Sequence, residues 1–349
     1  MEPRLGKTTS IPTLMAFALP ALAITALVVF HAFRKNDDAL VLYCSHDAEN
    51  AERIINLFEK KTGIRVVAKF DTEATKSLAL VELIRRERSN PRCDVFWNNE
   101  ALGVMELAEE GIFQPYASPN AGRIPAEFKD PENRWTGLAA RLRVVIVNTE
   151  KMPPTEKAVE KAMENNLGRM AIAKPLYGTT LTHFTLLAKQ IGLDNLKKKF
   201  RGMRERKLNV LNGNAAVKNA VAAGGCDFGW TDTDDFLVAK RSGAPVAMLP
   251  VKLPDGKTIA IPNTVAIVKG AKHLDEAKAF VDFLLSEECE TMLANSPSGQ
   301  IPLGPVDESK IPPFVREIEC QVENAAELAP DLPPIRNRCV EWLRNRHTR

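Results

Sequence analysis

The run Ala39-Leu-Val-Leu-Tyr-Cys-Ser-His-Asp-Ala-Glu49 decides how the rest of the chain is read. Its apolar start has the character of a strand buried on both faces. A polar break follows at once, then a helix that carries Ile54, Ile55, Leu57 and Phe58 on one face until Gly63 stops it. Outward from there, residues 64–70 alternate as a second strand, and Asp71-Thr-Glu-Ala-Thr75 opens a helix through Leu78, Leu80, Leu83 and Ile84. Cys93-Asp-Val-Phe-Trp97 is a third strand, and Asn98-Asn-Glu100 leads into a helix ending at Gly111. Three strand–helix units in succession predict an α/β fold with a mostly parallel sheet and right-handed crossovers.

The pattern then repeats. Residues 142–147 form a long strand, 170–173 a short one, and Gly178-Thr-Thr-Leu-Thr-His183 opens a helix. Cys226-Asp-Phe-Gly-Trp230 is a strand, and Thr231-Asp-Thr-Asp-Asp235 begins another helix. Residues 246–249 and 259–261, around the turn Pro254-Asp-Gly256, read as a return crossing, and 264–268 resumes strand character. A chain of 349 residues is long enough for two cores. The expected layout is therefore two lobes joined by two crossings: residues 37–143 and 250–349 in lobe 1, and 144–249 in lobe 2. A single domain with a long insertion is the runner-up.

The first 36 residues differ from this body. Between Ile11 and Phe33 there is no Asp, Glu, Lys or Arg, and about 20 apolar residues suffice for a membrane-crossing helix. Ala21-Leu22-Ala23 offers a signal-cleavage site, but the apolar run continues well past it, so an uncleaved anchor is preferred to a cleaved signal. Either way the body is expected outside the cytoplasmic membrane, on its periplasmic or extracellular face. Apolar residues make up 45% and charged residues 26%, the balance of a globular protein. A net charge of only +3, with both signs interspersed, excludes a nucleic-acid footprint. Of six cysteines, none has CxxC or zinc-site spacing. They read as buried apolar residues, with a Cys320–Cys339 disulfide left open.

Five strand ends carry polar clusters: Ser45-His46; Thr72-Glu73; Asn98-Asn99-Glu100; Gly178-Thr179-Thr180 with His183; and Thr231-Asp232-Thr233-Asp234-Asp235. In open α/β sheets ligands bind outside the carboxyl ends of the strands, and free N–H groups at the following helix starts face the same opening. Simple helix capping accounts for any one cluster as well. Arg143 on the long strand suits a ligand anion or a salt bridge equally. Glu100, Asp232 and Asp234 are the candidate oxygen ligands for a hard metal ion. No G-x-S-x-G, P-loop, H-E-x-x-H or G-x-G-x-x-G is present, so no enzymatic constellation stands out.

Phe58-Glu-Lys-Lys-Thr-Gly-Ile64, Asp94-Val-Phe-Trp-Asn-Asn-Glu100, Glu109-Glu-Gly-Ile-Phe-Gln-Pro-Tyr116 and Pro175-Leu-Tyr-Gly-Thr-Thr180 resemble bacterial extracellular solute-binding proteins. The nearest branch is the substrate-binding proteins of ferric-iron ABC transporters, and Gly299-Gln-Ile-Pro302 fits it too. The resemblance implies a two-lobed type II periplasmic-binding fold, a membrane permease and ATPase as partners, and ligand delivery without catalysis or cofactor. The branch label points to Fe3+ as the transported ligand but does not fix it. Relatives that bind iron present two adjacent tyrosines where this chain reads Thr231-Asp-Thr-Asp-Asp235, and its three tyrosines, Tyr43, Tyr116 and Tyr177, are scattered. An organic or oxyanion ligand therefore stays open beside iron. A membrane-tethered ligand sensor and a metal-dependent hydrolase are the alternatives from other classes.

Overall fold

Strand β1 (Leu40–Cys44) pairs in parallel with β2 (Val66–Phe70) on one side and β3 (Val95–Asn98) on the other. The crossovers are α1 (Ala48–Thr62), which buries Ile54, Ile55 and Phe58, and α2 (Leu78–Arg86). Phe58 meets Phe280 edge-on at 4.9 Å, and burying a side chain of that size stabilises by about 1.5–3 kcal/mol. After β3 come α3 (Leu102–Glu109) and the short β4 (Phe113–Gln114). The computed structural model describes residues 39–71, 78–165 and 167–345, and from Leu40 onward they form one unit.

The next strand, β5 (Thr136–Asn148), is buried along all 13 residues. It runs well past residues 142–147 on the N-terminal side and by one residue on the other, because Arg141 interrupts the apolar run that defines it in the sequence. A second set follows: α4 (Glu156–Glu164), β6 (Met170–Ala173), α5 (Gly178–Ile191), α6 (Leu193–Glu205), β7 (Asn209–Leu211), α7 (Asn214–Ala222), β8 (Phe228–Asp232), α8 (Thr233–Arg241) and β9 (Val246–Pro250). Here β6 pairs in parallel with β7 and β8. The chain returns through β10 (Ala260–Val268) to α9 (Leu274–Leu284), α10 (Glu287–Ala294), α11 (Pro313–Glu323) and α12 (Leu332–Asn345).

The strand order is β2-β1-β3-β10-β5-β8-β6-β7, with β4 added to β10 and β9 to β5. The sheet is mixed rather than mostly parallel. Its two flanks are parallel, but β10 is antiparallel to β3, β4 and β5, and β5 is antiparallel to β8 and β9. The reversal follows from the connectivity: the chain crosses once through β5 and comes back through β9 and β10. Thr136–Leu142 of β5 faces β10, whereas Arg143–Asn148 faces β8 and β9. Residues 259–261 and 264–268 belong largely to one strand, kept continuous by a bulge between Pro262 and Asn263 that tolerates the proline. Ile301 of the Gly299–Pro302 segment bridges Ala140 of β5.

Two further packing facts bear on the sequence reading. Residues 250–349 do not all stay with the first strand group, since α12 packs chiefly on α5 and also on α3, and Trp342 meets Phe200 of α6 at 5.9 Å. Cys339 is a free, buried thiol rather than half of a disulfide. Among the described residues no helix is long and apolar enough to cross a membrane. The expected anchor, 1–36, and Thr72 and Glu73 lie outside the described residues.

Candidate functional site

A cleft of about 560 Å3 opens where the carboxyl ends of β1, β3, β6, β7 and β8 meet. From β1 and β3 come His46, Asp47 and Asn99; from the helix starts on the far side come Tyr177, Gly178, Thr179, Thr180, Asn214, Asp232, Asp234 and Asp235; Arg141 of β5 lies between them. A larger depression, about 1140 Å3, lies beside it between α6 and α12, but no strand of the β1–β3 group reaches it.

Beneath the cleft, Arg143 is wholly buried and organises the far side. Its Nη1 donates to Asp232 Oδ1 at 2.7 Å and to Asn214 Oδ1 at 3.1 Å, and its Nη2 donates to Thr180 Oγ1 at 2.9 Å. Asp232 Oδ2 accepts from Thr179 Oγ1 at 2.7 Å and from Asn214 Nδ2 at 2.8 Å. The Asp232 carboxylate is thus committed within the protein, and a buried pair this well bonded holds its geometry.

Arg141 is arranged differently. It is 6% exposed, its Nη2 donates to Asn99 O at 2.9 Å, and its Nε makes no hydrogen bond. That Nε lies 3.5 Å from Asp232 Oδ2 and 3.7 Å from Asp234 Oδ2, near enough to hold it but without bonding geometry. Burial pushes the carboxyls of Asp234 and Asp235 above the usual range; for Asp235 the neighbouring Asp234 carboxylate adds to the rise, and for Asp234 the Arg141 guanidinium opposes it. Thr231 Oγ1 donates to Asp235 Oδ2 at 3.0 Å.

Three helices, α5, α7 and α8, start at this rim, and none has a side-chain cap. Their first-turn N–H groups and the positive ends of their dipoles aim at one opening. Gly178 (φ +60°) and Gly213 (φ +124°) sit at two of these starts in backbone conformations that L side chains rarely adopt. On the opposite rim α3 is capped, whereas α1 also starts without a side-chain cap. Leu102 N and Gly103 N donate to the two carboxylate oxygens of Glu100 at 2.8 and 2.9 Å, and Ser45 Oγ bonds Asn98 Oδ1 and receives Asn99 N.

The structure therefore gathers His46, Asn99, Gly178, Thr179, Thr180, Asp232 and Asp234 at the cleft. Ser45, Arg143, Thr231 and Thr233 are buried behind its lining, Thr233 Oγ1 accepting from Leu142 N at 3.2 Å. Glu100 is spent on α3 and is not brought together with Asp232 and Asp234. Among the described residues no group of three or more His, Cys, Asp or Glu side chains is placed to hold a metal ion. His183 is buried against Trp230, and burial together with the Arg143 charge keeps its pKa well below the ordinary value. Of the tyrosines only Tyr177 reaches the cleft, since Tyr43 bonds Glu87 and Tyr116 bonds Asp282.

Arg141, Asp47, Tyr177 and Asn214 escaped the sequence reading as site residues. Arg141 left a signal: it and Arg143 sit two apart inside a buried strand, hence on the same face.

Comparison with known proteins bears on the fold and the family. The chain is 25% identical over 314 residues to the major ferric iron-binding protein of Neisseria meningitidis serogroup B, covering 84% of this chain and 87% of that one. The fold matches iron-bound HitA from Pseudomonas aeruginosa, with a TM-score of 0.75, 21% identity and coverage of 88% and 98%. It also matches AfuA from Actinobacillus pleuropneumoniae with fructose-6-phosphate bound, with a TM-score of 0.67, 23% identity and coverage of 87% and 96%. AfuA is a periplasmic binding protein, and the fold this chain shares with both structures is mixed α/β. Residues 40–296 match the family model described as bacterial extracellular solute-binding protein, and the chain belongs to that family of binding proteins, not enzymes.

Proposed function

We propose that this protein is the extracytoplasmic solute-binding component of an ABC importer and that its cleft grips a small solute by an anionic group. The carrying observation is the convergence of three uncapped helix starts and the under-bonded Arg141 on one opening. Such a cradle suits a phosphate or carboxylate oxygen. Thr179, Thr180 and Asn99 line the anion end, with Ser45, Arg143, Thr231 and Thr233 holding the walls. In this reading β1–β4 with α9 and α10 form one lobe, β6–β9 with α4–α8 the other, and β5 and residues 251–259 cross between them. Closure about those crossings traps the solute for delivery to a permease and its ATPase. The charge-free run 11–33 supports a membrane tether, which fractionation of the full chain checks.

Iron is the second reading, favoured by the ferric relative and by the carboxylates of Asp47, Asp234 and Asp235 beside Tyr177. With no metal-holding group of three His, Cys, Asp or Glu side chains gathered among the described residues, iron fits this cleft as an anionic chelate such as ferric citrate.

A thermal-shift and calorimetric panel of inorganic phosphate, glycerol 3-phosphate, fructose 6-phosphate, citrate and ferric citrate separates the readings. A ligand at 100 times its Kd stabilises the folded state by about 2.7 kcal/mol. Arg141→Met should weaken the best binder by about 2–3 kcal/mol, roughly 30- to 150-fold, while the protein stays folded. Unchanged affinity in that variant would remove the anion reading. A shift with ferric citrate and none with citrate alone makes iron the cargo.

A further inference from the structure

The C-terminal segment starts at the crossing and ends on the far side of it. Thr258 N donates to Asn324 O at 3.0 Å and Ala326 N to Thr258 O at 2.9 Å, which pins the segment to the link between β9 and β10. Leu328 and Pro333 then border a depression with Met105 and Trp135, beside α3. Beyond them α12 lies along α5, with Trp342 edge-on to Phe200 of α6. Lys189 of α5 also pairs with Asp331 at 2.7 Å.

One partly buried polar contact ties this helix back to α3. Arg336, 7% exposed, donates from Nη1 to Glu106 Oε2 at 2.8 Å, and Asn337 Nδ2 donates to Glu106 Oε1 at 3.0 Å. A helix packed on one side of the crossing is thus bonded to a helix on the other, outside the cleft. Any motion that swings α3 away from α5 must either carry α12 off one of them or break the Glu106–Arg336 pair.

We propose that α12 is a strap across the two lobes and the Glu106–Arg336 pair its latch, so that residues remote from the cleft set how far it opens and hence how tightly it holds a solute. This rests on the two-lobe reading above. The apparent affinity of a cleft that binds only when closed is the intrinsic affinity scaled by the closed fraction. Arg336 is the cleaner site to test, because Glu106 also lies 3.4 Å from Arg85 of α2.

The test is the distance distribution between spin labels at K60C on α1 and K198C on α6, both exposed positions, in the full chain without ligand. Arg336→Gln should move weight to longer distances, raising the open fraction about tenfold, which corresponds to about 1.4 kcal/mol. Arg336→Lys should return part of it, and Glu106→Arg with Arg336→Glu should restore most of it. An unchanged distribution with only a lower melting temperature would make α12 a packing element and end the proposal. Should Arg336→Gln fail to fold, Asn337→Ala removes only the second donor to Glu106 and must shift the distribution the same way, by less. Since no ligand enters the measurement, failure of the anion reading leaves its outcome standing. A panel hit with unmoved distances removes the strap alone.

Discussion

At the end of β3 the polar residues are consumed by one another: Glu100 caps α3, and Ser45 closes on Asn98 and Asn99. At the β6–β8 rim residues of the same types form a layer underneath, Arg143 with Asp232, Thr179, Thr180 and Asn214, while the three helix starts above it go uncapped. Ser, Thr, Asn and Asp at a strand end are thus not informative by identity. What separates the end of β3 from the β6–β8 rim is whether the side chain satisfies its own helix or leaves that helix open, and α1, uncapped after β1, sides with the second group. A satisfied cap builds structure, and an unsatisfied helix start is capacity held for something that arrives later.

The contrast breaks most severely at Asp232. Asp232→Ala leaves the Arg143 guanidinium buried without its counter-charge, and removing one partner of such a pair costs about 3–5 kcal/mol. Urea denaturation should show that loss together with loss of solute binding. A cost near zero would mean that the layer beneath the cleft is not what holds it.

Glu100→Ala probes the other rim and should cost about 1 kcal/mol, the usual worth of a cap, with solute affinity unchanged. Weaker binding in that variant would put Glu100 at the cleft after all and erase the difference between the rims.

The last probe is a pH dependence. The pKa of Asp235 is pushed up to about 8 by burial and by Asp234, against an ordinary value of about 4. The folded state therefore binds more protons than the unfolded one between those values, and stability falls as pH rises from about 4 towards 8. Asp235→Asn should flatten that slope in melting temperatures taken across the window. A slope that survives the substitution assigns it elsewhere.

How much of this was legible depends on how each residue announces itself. The βα units from β1 to α3 read directly, because α1 buries Ile54, Ile55 and Phe58 at helical spacing and β1 is an unbroken apolar run. The mixed sheet did not, since strand direction is set by the return crossing and leaves no mark on local periodicity. Most of the cleft residues on the β6–β8 side were found because polar side chains at strand ends are conspicuous. Arg141 was missed because a charge inside an apolar strand looks like an interruption of the strand. Glu100 was read as a ligand group because a carboxylate that caps a helix and one that waits for a ligand share the same sequence.

Trp97 lies under the cleft edge, fully buried, with the His46 ring stacked on it at 5.1 Å and 14°. His46 lines the cleft, so a solute that displaces its ring is expected to change the emission of Trp97 against the background of the other three tryptophans. Cleft occupancy can then be followed by intrinsic fluorescence, without a label.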